Sequence, residues 1–379
     1  MKLVHLSDLH LGKRLREYSL AEDQTYILDR ILDVVDAERP DGVIIAGDVY
    51  DKSSPSAEAV ALFDGFLSKL AVRGTPVFVI SGNHDSAERI AYGRAIMSRS
   101  GVYLSSVYNG SVEPVILEDG YGAVNLYLLP FVRPTSVRAA FPDEKIDSYE
   151  DAVRTAIEHM NVDQRKRNVL VTHQFVTGAE RSESETVSVG GSDNVDVSVF
   201  APFDYVALGH IHRPQNCSTP RVRYCGTPLK YSFSEARDEK SVTVAELGPK
   251  GELNVRTVPL IPLRDLADIR GSYDEITLRS FYEGTGWQSD YVRITLTDEE
   301  EIPNVGDKLR PIYRNWMQIL YDNRRTQADR TVGGTDEEAE RSPLQLFSDL
   351  YEQQNNSPMT DEQTAFMTGL IEKYWEEEL

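Results

Sequence analysis

A chain of 379 residues with 40% apolar side chains is long enough for two or three domains and carries enough hydrophobic material to bury a core. Its formal net charge of −21 argues against a protein that grips nucleic acid alone through a basic surface, and residues 261 to 379 hold 12 basic against 25 acidic side chains, so the acidity is concentrated near the C-terminal end. The two cysteines, Cys217 and Cys225, fit no disulfide framework or thiolate metal motif, and no apolar run reaches 18 residues, so the sequence reads as a soluble cytoplasmic chain with free thiols.

The first elements alternate. "KLVHLS" (2–7) is a strand, the spacing of Ile27, Leu28, Ile31, Leu32 and Val35 predicts a helix, and "GVIIAG" (42–47) is a second strand. A helix over about 56–73 and the strand "PVFVIS" (76–81) follow, giving β-α-β-α-β. Later strands at "NLYLLP" (125–130), "NVLVTH" (168–173), "FDYVALGH" (203–210) and "SVTVAEL" (241–247) come in closer succession, which suits a mixed sheet or two packed sheets. Two prolines in "PLIPLRDL" (259–266) interrupt the pattern, and "YVRITLTDEEEIP" (291–303) reads as an edge strand of a small second domain. The polar, Gly-containing stretch 326–341 reads as a linker. Residues 342–379 hold two helix patterns with Ser342 and Thr360 as N-caps. The expected division is therefore 1–262, 263–325, 326–341 and 342–379.

Chemistry gathers at the strand ends. "LSDLH" delivers Asp8 and His10, "IIAGDVYD" delivers Asp48, "VISGNHD" delivers Asn83 with His84 and Asp85, "VLVTHQF" delivers His173, and "LGHIH" delivers His210 and His212. Residues i and i+2 of an extended chain share a face, so Asp8 with His10 and His210 with His212 can reach one object together. Asp48, Asn83 and His210 each follow a glycine, which permits close backbone approach where a strand ends over a ligand. Seven nitrogen and oxygen donors are more than one ion needs. Two divalent ions bridged by Asp48, one held by Asp8, His10 and His212 and the other by Asn83, His173 and His210, would use all of them. With no thiolate in the set, manganese is the first choice, ahead of iron or zinc. His84 is then a catalytic group beside the scissile phosphate, with Asp85 either its partner or a brace for the turn.

In combination, "DLH", "GDVYD", "GNHD", "VTHQ" and "GHIH" resemble the calcineurin-like metallophosphoesterase family over about residues 1–215. "HLSDLHLGK", "AGDVYDKSSPS", "SGNHDSAERI", "VGGSDNVD", "FDYVALGHIHRPQ" and "YCGTPLKYSFSEA" are similar to the SbcD family of bacterial double-strand-break repair nucleases, through about residue 240 and on toward the C-terminus. The resemblance implies an α/β metallophosphoesterase sandwich of two mixed β-sheets flanked by helices, with a small α+β capping domain that touches DNA and a helical C-terminal tail. It also implies a manganese-dependent nuclease that trims double-stranded ends and opens hairpins. The same seven ligands and a catalytic His84 come with it, as do a homodimer through the nuclease domain and an SMC-like ATPase partner, SbcC, in a heterotetramer.

If that ATPase supplies the DNA-binding surface, the acidic tail can dock it through Leu344, Leu346, Phe347, Leu350 and Tyr351 and through Phe366, Leu370 and Ile371. Lys13, Arg14 and Arg16 lie where a phosphate backbone would pass, with a solvated charged face the alternative. Tyr224 and Tyr231 could line a channel, although strand tyrosines more often pack, and 178–196 is a long polar loop open to a substrate-facing or partner-facing role. A phosphomonoesterase or cyclic-nucleotide phosphodiesterase on the same ligands is the competing reading.

Overall fold

The computed structural model describes residues 1–185, 194–324, 343–355 and 358–374. In chain order run β1 (Lys2–Leu6), α1 (Ala21–Glu38), β2 (Gly42–Ala46), α2 (Ala57–Val72), β3 (Val77–Ile80), β4 (Val102–Leu104), β5 (Val115–Asp119) and β6 (Gly122–Leu128). Then come α3 (Tyr149–Glu158), β7 (Arg167–His173), β8 (Tyr205–Gly209), β9 (Gln215–Cys217), β10 (Thr219–Tyr224), β11 (Ser241–Leu247) and β12 (Leu253–Pro259). A last group holds β13 (Leu266–Gly271), β14 (Tyr291–Leu296), β15 (Asn315–Tyr321), α4 (Pro343–Asn355) and α5 (Asp361–Tyr374).

Two six-stranded mixed sheets have the orders β12-β11-β1-β2-β3-β4 and β9-β10-β8-β7-β6-β5. Their centres are parallel, and antiparallel strands close the edges at β11, β12, β5 and β9. Alternate side chains of each central strand point to opposite faces. In β1 and β2, Leu3, Ile44 and Ala46 enter the layer between the sheets, where Phe78, Val169, Val171 and Ala207 meet them. Val4, Leu6, Val43 and Ile45 face the other way, onto α1 and α2 through Ile27, Ile31, Phe66 and Leu70. A third cluster packs α3 against the outer face of the second sheet. With both faces covered, the strands read as unbroken apolar runs.

The small sheet β13-β14-β15 is wholly parallel. Here the sequence reading is corrected: β14 is its central strand, not an edge. Tyr291, Val292, Ile294 and Leu296 are buried in a strand paired on both sides, by β13 and β15, and alternation reports how many faces are covered rather than how many edges are paired. This sheet is fastened to α1 by Asp23, whose carboxylate accepts from Tyr291 Oη at 2.8 Å and from Arg264 Nε and Nη2 at 2.9 and 2.8 Å.

In the tail, Thr360 caps α5 by accepting from the Gln363 amide at 3.3 Å, while Ser342 and the stretch 326–341 fall outside the described residues. Leu346, Phe347, Leu350 and Phe366 are exposed, but Ile371, grouped with them from spacing alone, is buried. Cys217 and Cys225 are free and buried.

One buried histidine joins the two sheets. His5 Nε2 lies 3.1 Å from the Leu208 carbonyl and Nδ1 lies 2.8 Å from Tyr205 Oη, so Nε2 carries the proton and Nδ1 accepts from the phenol. Burial, reinforced by the charge of Arg223 and opposed by the Leu208 carbonyl, lowers its pKa to about 3. The folded pKa is depressed, so the unfolded chain binds the extra proton between pH 6.5 and 3. The neutral ring's contribution is complete above about 6.5 and is lost as pH falls toward 3. His5→Gln keeps one donor and one acceptor but cannot titrate. Its stability deficit, measured by urea unfolding, should shrink by up to about 1.4 kcal/mol for each pH unit below 6. A deficit unchanged between pH 7.5 and 5 would remove His5 from the acid response.

Candidate metal centre

β1, β2, β3, β7 and β8 run parallel within their sheets, and the loops at their carboxyl ends converge. Backbone bonds knit the first two loops together. The Asp8 amide donates to the Gly47 carbonyl at 3.0 Å, His10 to Asp48 at 3.0 Å and Leu11 to Val49 at 2.9 Å. Four non-glycine residues take positive φ to reach the centre: Asp8 at 52°, His10 at 43°, Asp48 at 46° and His210 at 99°. Conformations that L-residues avoid, gathered where the polar groups converge, mark a site whose surroundings over-determine it.

The glycines make the convergence possible. Gly47 has φ +86°, and a Cβ there would sit 2.5 Å from His173 Nδ1. A Cβ on Gly82 would overlap the Asp48 carboxylate, and one on Gly209 the Ala46 carbonyl oxygen.

All seven donors predicted from the sequence come together. Asp8, His10 and His212 bring ligand atoms within 4.8 Å of one another, as do Asp8, Asp48 and His173. His10 Nε2 and His212 Nε2 face each other at 3.1 Å. On the other side Asn83 Oδ1 lies 3.0 Å from both His173 Nε2 and His210 Nδ1. Asp48 Oδ2 stands between the groups, 3.3 Å from His173 Nε2 and 3.7 Å from His10 Nε2. His84 also groups with His10 and Asp48, its Nε2 4.0 Å from Asp48 Oδ2, and it is the more open of these rings.

Burial sets the electrostatics. It raises Asp8 to about 6, Asp48 adding to the effect and His173 and His212 opposing it. Burial alone would raise Asp48 too, but its contacts with the imidazoles around it, His173 first, hold it well below the usual carboxylate range, and Asp48 in turn raises His173 against the pull of burial. His10 and His210 are lowered well below an ordinary imidazole by burial, so they stay neutral with a lone pair to offer. Two buried carboxylates demand positive charge, and neutral imidazoles face inward, with His10 Nε2 and His212 Nε2 only 3.1 Å apart. That donor set, with no thiolate, fits divalent ions.

The orienting groups were mostly invisible in the sequence. His173 Nδ1 lies 2.8 Å from the Ala46 carbonyl, which leaves Nε2 for the centre. Asp85 is not the partner of His84: its carboxylate accepts from the amides of Val49, Tyr50 and Gly82 at 3.0 to 3.1 Å and so braces two ligand loops, while His84 Nδ1 turns to the Asp51 carbonyl at 3.1 Å. Gln24 donates to the His10 carbonyl at 2.7 Å and accepts from the Gly12 amide at 3.0 Å. Tyr231 Oη donates to the Leu9 carbonyl at 2.6 Å and Tyr224 Oη to the Gln174 carbonyl at 2.6 Å, so both tyrosines pack. Lys13 pairs with Asp51 at 2.7 Å. Glu235, fully buried with Lys240 at 2.6 Å, had no signal beyond its place in "YSFSEA".

A family model described as calcineurin-like phosphoesterase matches residues 1–214, and one described as type 5 capsule protein repressor C-terminal domain matches residues 262–355. The SbcD component of the nuclease SbcCD from Staphylococcus epidermidis is 35% identical over 323 residues, covering 84% of this chain and 85% of that protein. The corresponding SbcCD component from Staphylococcus saprophyticus is 33% identical, covering 84% of each. Among solved structures, a dimetal phosphatase from Danio rerio aligns at 12% identity with a TM-score of 0.38, over 69% of this chain and 96% of its own.

The glycine contacts yield a paired test. Gly82→Ala should drive Asp48 out of place and cost about 1–3 kcal/mol of stability. Gly65→Ala, on α2 with open space where the methyl goes, should gain about 0.5–1 kcal/mol. Urea midpoints read both, and a Gly82→Ala chain as stable as wild type would show that the loop has room to spare.

Proposed function

The chain belongs to the calcineurin-like phosphoesterase family and, within it, to the SbcD family of nuclease components, and from that premise we propose that it is the two-metal nuclease subunit of an SbcC–SbcD type complex. Its substrates in this reading are double-stranded DNA ends, cut exonucleolytically, and hairpins or single strands, cut endonucleolytically, in repair and recombination. The observation that carries it is Asp48 Oδ2, which faces His10 Nε2 on one side and His173 Nε2 on the other. That position supports Asp48 as the carboxylate that would be shared by two ions. Asp8, His10 and His212 would hold one ion and Asn83, His173 and His210 the other, with manganese the metal we favour.

Bound divalent ions supply charge stabilisation and a nucleophile at neutral pH for an in-line displacement at phosphorus. The chain does the rest. The strained loops hold the donors in place before substrate arrives, so little reorganisation is needed during the reaction. His84 commits Nδ1–H to the Asp51 carbonyl at 3.1 Å, which turns Nε2 toward the site. From there it stabilises the transition state or delivers a proton to the leaving oxygen.

The net charge of −21 fits a subunit that shares the task of holding DNA. The SMC-like ATPase SbcC supplies that surface in this reading, and α4 with its exposed Leu346, Phe347 and Leu350 is the segment we assign to it. The capping role falls to the β13-β14-β15 sheet. For the homodimer we assign the groove of about 480 Å³ formed by α2 and the segment 88–97, where Val60 and Tyr92 are 44% and 84% exposed. A cytoplasmic location goes with this assembly.

Purified protein with manganese should degrade end-labelled linear duplex DNA, and Asp48→Asn should abolish the cleavage. His84→Ala should bind the same number of ions yet lose about 10²–10⁴-fold in rate. Hydrolysis of small phosphomonoesters with no cleavage of DNA, alone or with the ATPase, would favour the competing reading instead. For the dimer, sedimentation should show Tyr92→Glu as a monomer where wild type is a dimer; equal masses would move the interface elsewhere.

A further inference from the structure

His212 is oriented by side chains that come from elsewhere in the chain. Its Nδ1 lies 2.6 Å from Ser184 Oγ, and Ser184 Oγ lies 2.6 Å from Glu235 Oε1. Glu235 is fully buried and ion-paired, with Lys240 Nζ 2.6 Å from Oε2. A carboxylate only accepts. The serine hydroxyl must therefore donate to Glu235, and its lone pair must accept from His212 Nδ1–H. That chain of donors leaves the lone pair on Nε2, the nitrogen that faces His10 Nε2 at 3.1 Å.

The anchor is well built. Ser232 Oγ and Thr227 Oγ1 also donate to Glu235, at 3.0 and 3.3 Å, and Lys240 Nζ reaches the His212 carbonyl at 2.9 Å. The segment that carries Ser184 is laced to the same region. Glu185 Oε1 accepts from the His212 amide at 2.6 Å, the Glu183 amide donates to Ser234 Oγ at 3.0 Å, and Glu180 pairs with Arg213 at 2.7 Å. His173, by contrast, is oriented by a main-chain carbonyl that no substitution removes.

We propose that Ser184, fixed by Glu235, is a positioning residue: as the hydroxyl link between that carboxylate and His212 it sets the tautomer and aim of His212, and with them the affinity of the ion position formed by Asp8, His10 and His212. The position formed by Asn83, His173 and His210 is independent of it. This inference rests on the two-ion reading above, and its test separates the two.

The test titrates manganese into the full-length, metal-stripped chain by calorimetry. Wild type should take up two ions. Ser184→Ala should weaken one of them about 10–100-fold and leave the other within about twofold. Ser184→Thr, which keeps the hydroxyl, should restore the weakened step to within about threefold of wild type. Metal-free Ser184→Ala should still unfold in one cooperative step, at a somewhat lower urea concentration than wild type, since it leaves the buried His212 Nδ1–H without its acceptor. Two ions bound by Ser184→Ala with wild-type affinities would overturn the inference while leaving the two-ion reading intact. Equal weakening in the Ala and Thr variants would overturn it as well, because loop packing rather than the hydroxyl would then be responsible. Fewer than two ions in wild type would overturn the two-ion reading itself and this inference with it.

Discussion

The buried carboxylate of Asp48 is the constraint on which the rest of the site depends. Taking a carboxylate out of water costs several kcal/mol unless positive charge or strong donors meet it, and here the imidazoles of His173, His84 and His10 surround it while the His84 amide donates to Oδ1 at 2.9 Å. To bring those rings to one carboxylate, strand ends from both sheets must almost touch. Gly209 presses on the Ala46 carbonyl and Gly82 on Asp48 itself, so the spacing between the sheets at this edge is set by backbone contact. The positive φ values of Asp8, His10, Asp48 and His210 follow from the same demand, each costing roughly 1–2 kcal/mol. The amide bonds between the first two loops, and the three amides gathered by Asp85, hold the strained backbone in place.

The far edge of the sandwich answers with a different polar clamp. Arg167 Nη1, at the start of β7, donates to Asp119 on the second sheet and to the Gly248 carbonyl beyond β11 on the first, both at 3.0 Å. Between these two polar ends lies the apolar layer of Leu3, Ile44, Phe78, Val169, Val171 and Ala207. Such a layer resists shear because side chains from the two sheets interdigitate, and it gives the strand ends a rigid platform. His5 belongs to that platform rather than to the metal centre, despite standing three residues from Asp8.

What was legible in the sequence and what was not divides along one physical line. The central strands are buried on both faces and must be apolar throughout, and their terminal ligands are residue types rarely placed together for any other reason, so both were readable. β14 was seen as a strand but misplaced, because its one-sided alternation is the same at an edge or a centre. Ile371 was placed on a docking face because helical spacing does not distinguish a core from an interface, and the fold buries it. Ser184, Glu185 and Glu235 sit in Ser- and Glu-rich segments whose composition reads as solvent-facing. Only the fold shows that one of these carboxylates is fully buried on Lys240. Asp85 was left between two roles, since a local sequence cannot say whether a carboxylate turns toward its neighbour's ring or toward backbone amides.

The same helical turn serves the metal centre and the small sheet. Asp23 and Gln24 are consecutive in α1 and both buried. The first takes Arg264 and Tyr291 from the C-terminal sheet, and the second takes the His10 carbonyl and the Gly12 amide from the ligand loop. Each side chain has its hydrogen bonds directed to one body, so neither can be satisfied by the other's partner. Tyr18, just before α1, adds a third tie by packing edge-on against Tyr291 and donating to the Trp316 carbonyl at 3.3 Å. The first turn of α1 is thus a shared anchor, and the position of the β13-β14-β15 sheet is referenced to the backbone that carries His10. Hydrogen bonds to buried charged groups are worth about 1.5–3 kcal/mol each, so the Asp23 contacts make that reference firm beside the apolar contact by which Leu266, Tyr291 and Met317 join the core under α1.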